Sequence, residues 1–400
     1  MVIRTFATVL MLILFGQHMH GSTGTVVVDS ITGEPLVGAY ILDRNSRVVG
    51  VTSHDGKLPQ LAADKFPVTV RFMGYAPVTV EHTVDGIIRM HEVMSQLPEV
   101  IVESRKNQVL HLIGYMREYS LLTTYSDTVF LFREKMVDFM LPDEKVKRFK
   151  GWTDPRLLRS KSYYHLRDAL GVDTVSDNFP QHFSWSDWIG ITKRLELPQG
   201  FEDLTAGTDT VKSRYGNAMV WRKSDERVYV DIDVLADSAN YRFVPSLAGY
   251  ITSDMDFRRL NLRYIFDDVY TGRVSAANLT SMSFSIESNG RGRNMRHTLG
   301  SSGAPYVETY AEMYIIDKKY ISVKEAHQWE RRALAYSDID MYRGDELPPL
   351  PPYITNLIAR VEHIDHDAIR VAIEPNRRMV SQLIRPKRGF IYRLKSLFGL

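Results

Sequence analysis

His327-Gln328-Trp329-Glu330 sets a histidine and a glutamate three positions apart, a spacing that turns both side chains to one face of a helix and offers two ligands to a zinc ion. A catalytic zinc needs more: a third protein ligand, a bound water and a base aimed at it. No matched partner set accompanies the pair, and a solvated helix face is the simpler account of it. A second group, His363, Asp365, His366 and Asp367 beside Glu362, offers nitrogen and oxygen donors to a divalent metal. Mixed charges of this kind are common in polar segments. His327, Glu330, His363 and His366 are thus weak metal candidates, and nothing in the sequence calls for a metal or other cofactor.

Other chemistry is bounded by residue type. The chain has no cysteine, so it can form no disulfide, no thiolate zinc site and no nucleophilic thiol. It has no Gly-x-Ser-x-Gly elbow and no Gly-Lys-Thr phosphate loop, the usual signatures of serine hydrolases and nucleotide-binding proteins. The basic, glycine-rich run from Asn289 to Gly303 suits contact with an anionic glycan or a lipid phosphate. A long hairpin loop has the same look. A net charge of +2 is too small to imply nucleic acid as a partner.

The elements that must position these groups begin with an apolar run, Thr5 to Phe15, behind the basic Arg4. It is short for a bilayer span, which takes about 20 apolar residues, and polar Gln17 and His18 follow at once. Residues 1–22 therefore read as a cleavable signal peptide, and the chain as exported to the periplasm or outer membrane. With 44% hydrophobic and 11% aromatic residues it can build a core without disulfides.

Over residues 23–102 short strand-forming runs alternate with turns, the pattern of a small β-sandwich. Strands are predicted at Thr25 to Val28, Ala39 to Leu42, Val68 to Phe72 and Val78 to Val80. Thr32-Gly33-Glu34-Pro35 and His54-Asp55-Gly56 are turns, the second with glycine where a positive φ is needed. The strings Gly24 to Asp29, Thr32 to Ala39, Gly50-Val51-Thr52, Asp55-Gly56, Val70 to Tyr75 and Leu97 to Val102 together resemble the carboxypeptidase regulatory-like domain. That resemblance implies a seven-stranded transthyretin-like sandwich with no catalytic residues. In Bacteroidetes such domains often open outer-membrane receptors and envelope proteins with uncharacterised partner domains. This chain departs from the receptors, having neither a plug nor the length for a 22-stranded barrel after Val102. The resemblance also makes a metallocarboxypeptidase reading of His327 and Glu330 tempting, but the long α/β catalytic domain of those enzymes is missing.

Residues 104–346 read as one β-rich α+β domain. Strands are predicted at Thr128 to Phe132, Val228 to Asp233, Ser281 to Glu287 and Val307 to Ile316. Ser322 and Glu325 form a capping box that opens a helix through Ala326 to Tyr336, and a further helix is expected over Asn107 to Met116. Asp-Thr-Val recurs at Asp127, Asp173 and Asp209 with unequal spacing, which argues against a solenoid. A turn closing into a strand explains it. The tripeptide also resembles the O-glycosylation acceptor of exported Bacteroidetes proteins, making Thr128, Thr174 and Thr210 candidate modification sites.

Residues 347–353 are a proline-rich linker, and residues 354–400 a helical, basic tail. From Arg377 to Leu400 there are seven Lys or Arg and no acidic residue. Phe390, Ile391, Leu394, Leu397 and Phe398 fall on one helical face with Arg388 available to the other. Such a helix lies on an anionic membrane or docks on the protein itself. The sequence thus predicts a mainly β, partly α fold and a non-enzymatic exported envelope protein that binds an envelope protein, a glycan or a lipid. The alternative is a metal-dependent peptidase or other hydrolase.

Overall fold

The expected helix over Asn107 to Met116 is instead the start of a long strand, and the reason shows how the molecule is built. In the computed structural model β7 spans Val109–Thr123 and pairs along its whole length with β8, Thr128–Pro142, on one side. Nearly every residue of β7 is buried, because both faces of its sheet are covered. Burial on both faces erases the polar alternation that marks a half-wet strand, leaving an apolar run that also suits a helix.

The structure describes residues 24–82, 86–93, 109–124, 128–167, 170–171, 173–179, 183–195, 201, 209–213, 216–224, 227–247, 255–269, 274–290, 305–331, 339–344 and 347–364. The fold is mainly β with few helices. Among the described residues six strands make the N-terminal unit: β1 (Val26–Asp29), β2 (Tyr40–Leu42), β3 (Val48–Val51), β4 (Val68–Arg71), β5 (Val78–Val80) and β6 (Ile87–Met90). An antiparallel sheet in the order β3-β2-β4-β5 lies beside the parallel pair β1-β6. Val27, Ile41, Val68, Val70, Phe72 and Met90 fill the space between them. Asp29 pins the turn that follows β1, accepting from the backbone of Ile31 and Thr32 and from the Tyr75 hydroxyl at 2.7 Å.

The remaining strands of the large sheet are β9 (Trp152–Arg167), β10 (Asp173–Ser176), β12 (Asp209–Ser213), β13 (Gly216–Ser224), β14 (Arg227–Asp233), β15 (Met255–Phe266), β17 (Leu279–Gly290) and β18 (Tyr306–Ile321). They form a ten-stranded antiparallel sheet in the order β10-β9-β8-β7-β18-β17-β15-β14-β13-β12. A two-residue pair, β11 (Arg194–Leu195) with β16 (Val274–Ser275), stands apart from it.

One face of the sheet carries Leu112, Leu131, Phe139, Val230, Leu262 and Phe284, and inserted segments bring Phe183, Trp185, Ile189, Phe243 and Leu247 down onto it. The opposite face carries Tyr119, Phe132, Tyr229, Tyr310 and Tyr314, and here the N-terminal unit docks through Tyr40 and Met73. Arg263 of β15 anchors that contact, donating to the Met73 carbonyl and lying 3.9 Å from the centre of the Phe72 ring.

Helix α1, Val323–Arg331, begins where the capping box places it, with Ser322 Oγ accepting from Glu325 N at 3.2 Å. Helix α2, Pro352–Glu362, opens on a proline whose missing N–H costs nothing in a first turn. Ile354, Leu357 and Val361 of α2 pack on the aromatic docking face. The proline-rich stretch before it runs along the same face, with Leu347 buried and the Pro348 carbonyl accepting from Arg117.

Candidate functional site

The inserted segment between β10 and β11 carries an alternating run of aromatic and polar side chains, Phe183-Ser184-Trp185-Ser186-Asp187-Trp188. Ser184 caps a short 310 turn over Trp185–Asp187 by accepting from Ser186 N. Trp185 Nε1 donates to Ser288 Oγ at 2.7 Å on β17, and Ile191 N donates to the Thr153 carbonyl at 2.9 Å on β9. Residues 183–191 thus form a strap tied down at both ends. Its central turn drops Ser186 and Asp187 onto three charged residues in the middle of β7 and β8.

Those three are Glu118, Arg133 and Lys135. Glu118 and Arg133 are cross-strand partners, with a closest approach of 2.8 Å. Lys135 Nζ lies 2.8 Å from Asp187 Oδ1 and 3.4 Å from Glu118 Oε2, and donates to Ser186 Oγ at 2.6 Å. Ser186 in turn donates to Glu118 Oε2. Burial works against the charge on Glu118, but Arg133 and then Lys135 outweigh it and hold the carboxyl far below its ordinary range. Asp187 follows the same balance: burial raises it, Lys135 and Arg133 lower it further. The result is a quartet of fixed charges joined through one serine.

Chemically the quartet holds rather than reacts. Ser186 beside Lys135 has the look of a serine with a lysine base, but that lysine is ion-paired to two carboxylates. The proton of Ser186 points to a glutamate kept strongly acidic, and the side chain is wholly buried. A nucleophile needs a base with a free lone pair and access to its substrate.

Above this floor a cavity of about 460 Å³ opens between the strap and β9. Tyr164, Phe183 and Trp188 give it aromatic walls; Arg133, Asp187 and Ser184 line its floor. At the far end Ser246 donates to Asp154 at 3.0 Å. A much smaller cavity, about 40 Å³, lies between the N-terminal unit and the sheet and is lined by Arg71, Met73, Tyr75 and Glu312 among others. It has room for little more than water.

The metal candidates stand elsewhere. His327 Nδ1 and Glu330 Oε2 are 3.0 Å apart on α1, so they partner each other, and the His327 ring meets Phe149 edge-on at 5.1 Å. His363 ends α2 and donates from Nδ1 to the Ala359 carbonyl at 2.6 Å, a helix-closing bond. Among the described residues no group of three or more His, Cys, Asp or Glu is placed to hold a metal. His366 lies outside the described residues, as do the 1–22 segment and Arg388, Phe390, Ile391, Leu394, Leu397 and Phe398 of the tail. Thr128 opens β8, while Thr174 and Thr210 sit on β10 and β12, the two opposite edges of the large sheet. Thr174 is exposed; Thr128 and Thr210 are half-buried. Asp173 of the same motif bonds His165, whose other ring nitrogen meets the Tyr353 hydroxyl of α2 at 2.5 Å.

The groove residues escaped the sequence reading. One signal was present: Arg133-Glu134-Lys135 interrupts an otherwise apolar run in the middle of a strand, where charge is costly unless paired.

No family model matches the sequence, and no curated protein matches it. One similar solved structure, described as lipid-protein interactions in lipovitellin, shares 8% identity over 54% of this chain with a TM-score of 0.23. The matched part spans about a quarter, 26%, of that protein's chain.

Proposed function

We propose that this chain is a non-enzymatic binding protein of the cell envelope, exported to the periplasm or outer membrane, and that its ligand lies in the groove between β9 and the 183–191 strap. The observation that carries the reading is the pairing of a ligand-sized cavity with a floor of fixed charges. Small-molecule sites run from about 300 to 1,000 Å³ and combine apolar walls with a few well-placed polar groups. This groove, at about 460 Å³, has both. Its ionic floor holds its charges fixed, which suits orientation of a ligand and not proton transfer near neutral pH. Export rests on the basic-then-apolar start of the sequence and on the resemblance of residues 23–102 to the regulatory-like domain, which brings no catalytic residues of its own.

Thermal unfolding of the full chain, titrated with panels of saccharides, peptides and polyamines, tests the site. A ligand that binds the folded form raises the midpoint by mass action. At least one class is expected to do so, with the rise abolished in the pair Asp154→Asn and Trp188→Ala. A midpoint that no class moves, or one moved equally in the variant, would end the proposal.

A further inference from the structure

Resting on the groove as the ligand site, we infer that its ligand is a saccharide chain. Length comes first. Asp154 and Tyr164 both line the groove from near opposite ends of β9, and with the two register shifts between them that stretch matches about eight residues of β8, roughly 25 Å at about 3.3 Å per residue. A single sugar ring or amino acid cannot reach both ends.

The mixture of groups excludes simpler chemistries. An anion meets the carboxylates of Asp154 and Asp187; a cation meets the guanidinium of Arg133. An alkyl chain covers all of them without a hydrogen bond in return, which desolvates charged groups uncompensated. Sugar hydroxyls both donate and accept, so successive rings of one chain can give protons to the aspartates and take them from Arg133. The axial C–H bonds of a pyranose carry slight positive charge and suit the negative faces of Tyr164, Phe183 and Trp188.

An extended peptide is the competing macromolecule, because among the described residues β9 pairs with β10 only over Tyr164–Arg167, with no partner strand along the rest of that edge. The edge is blunted, however. Pro155 removes a backbone donor within it, and the pairing with β8 shifts register twice, near Met136 and near Asp138. Proline and bulges of this kind are how edge strands refuse an added strand.

The test is titration of the full chain with glucose, maltohexaose, cellohexaose and chitohexaose, beside an extended alanine-rich hexapeptide and spermidine, followed by tryptophan fluorescence and calorimetry. At least one hexasaccharide is expected to bind at least tenfold more tightly than glucose. Trp188→Ala should weaken it by about tenfold, the loss of one stacked aromatic, and Trp188→Phe should recover part of that. Binding of the peptide or of spermidine in this groove with no hexasaccharide binding overturns the saccharide assignment and leaves the groove as a ligand site. Absence of binding by every probe overturns both.

Discussion

Arg71 of the N-terminal unit and Glu312 at the centre of the large sheet meet face to face across 241 residues of sequence, with Nε–Oε1 at 3.1 Å and Nη2–Oε2 at 2.8 Å. Each side chain is 3% exposed. Burial opposes both charges, but Arg71 holds Glu312 below its ordinary range, and the hydroxyls of Tyr310 and Tyr314 supply the carboxylate with two further donors. A buried pair of this kind adds little net stability compared with apolar residues, yet breaking it strands a charge. It works as a registration pin: only one seating of the N-terminal unit satisfies it.

Arg71→Met is therefore expected to cost about 3–5 kcal/mol in urea unfolding, because Glu312 is left buried and unpaired. The double change Arg71→Met with Glu312→Leu should recover most of that loss. A single variant within about 1 kcal/mol of the parent would show that the two units are not pinned here.

Under the groove a related logic applies to Lys135, which shares its partners Glu118 and Asp187 with Arg133. Lys135→Met should destabilise the chain by about 1–3 kcal/mol, since Glu118 keeps Arg133 and the Asp187 side chain is more than half exposed. It should also leave the aromatic walls in place, since Trp185 is anchored independently by Ser288. A near-UV circular dichroism spectrum unchanged by the substitution, alongside a lower urea midpoint, is the expected pair of results. Loss of the aromatic signal would mean that the quartet, and not Trp185, seats the strap.

Much of the strand pattern was legible because local sequence and burial agree. Val228 to Asp233 and Val307 to Ile316 have strand composition and are strands, and Gly56, at φ +72°, closes the turn assigned to it. The capping box of Ser322 and Glu325 is a local contact and was visible for the same reason. β7 failed because its neighbours, and not its own residues, bury both faces. The groove failed for a deeper reason. Glu118, Lys135 and Asp187 lie on three separate segments, and only the fold tells which charges cancel. Arg71 looked like one more residue of a sandwich strand, since nothing within its own segment reveals a partner at Glu312.

His327 and Glu330 satisfy each other and the helix that carries them is explained by its cap. His327→Ala is expected to leave the metal content of the purified chain unchanged and to alter stability by no more than about 1 kcal/mol, the scale of an edge-on aromatic contact. Stoichiometric zinc that disappears with the substitution would instead support the hydrolase alternative.

Glu308 faces Glu287 directly across β17 and β18 and shares Arg259 with it. Burial, more than the neighbouring carboxylate, pushes its pKa up to about 7 from an ordinary value of 4.5, and Arg259 offsets only part of the rise. The sign follows from proton counting. Between pH 4.5 and 7 the folded chain holds a proton on Glu308 that the unfolded chain has lost, so this group's contribution to stability falls as pH rises through that window. Fully expressed, the shift corresponds to about 3 kcal/mol at 1.36 kcal/mol per pH unit. Glu118, Asp187 and Glu312 act in the opposite sense, since their lowered values favour the folded form above the ordinary carboxylate range and lose that advantage in acid. Glu308→Gln fixes the neutral form's shape and removes its titration. The difference in unfolding free energy between variant and parent should therefore shift in favour of the variant from pH 4.5 to 7.5, by up to about 3 kcal/mol. A difference that stays flat across that window, measured by urea unfolding in matched buffers, would show that Glu308 is ionised in the folded chain throughout.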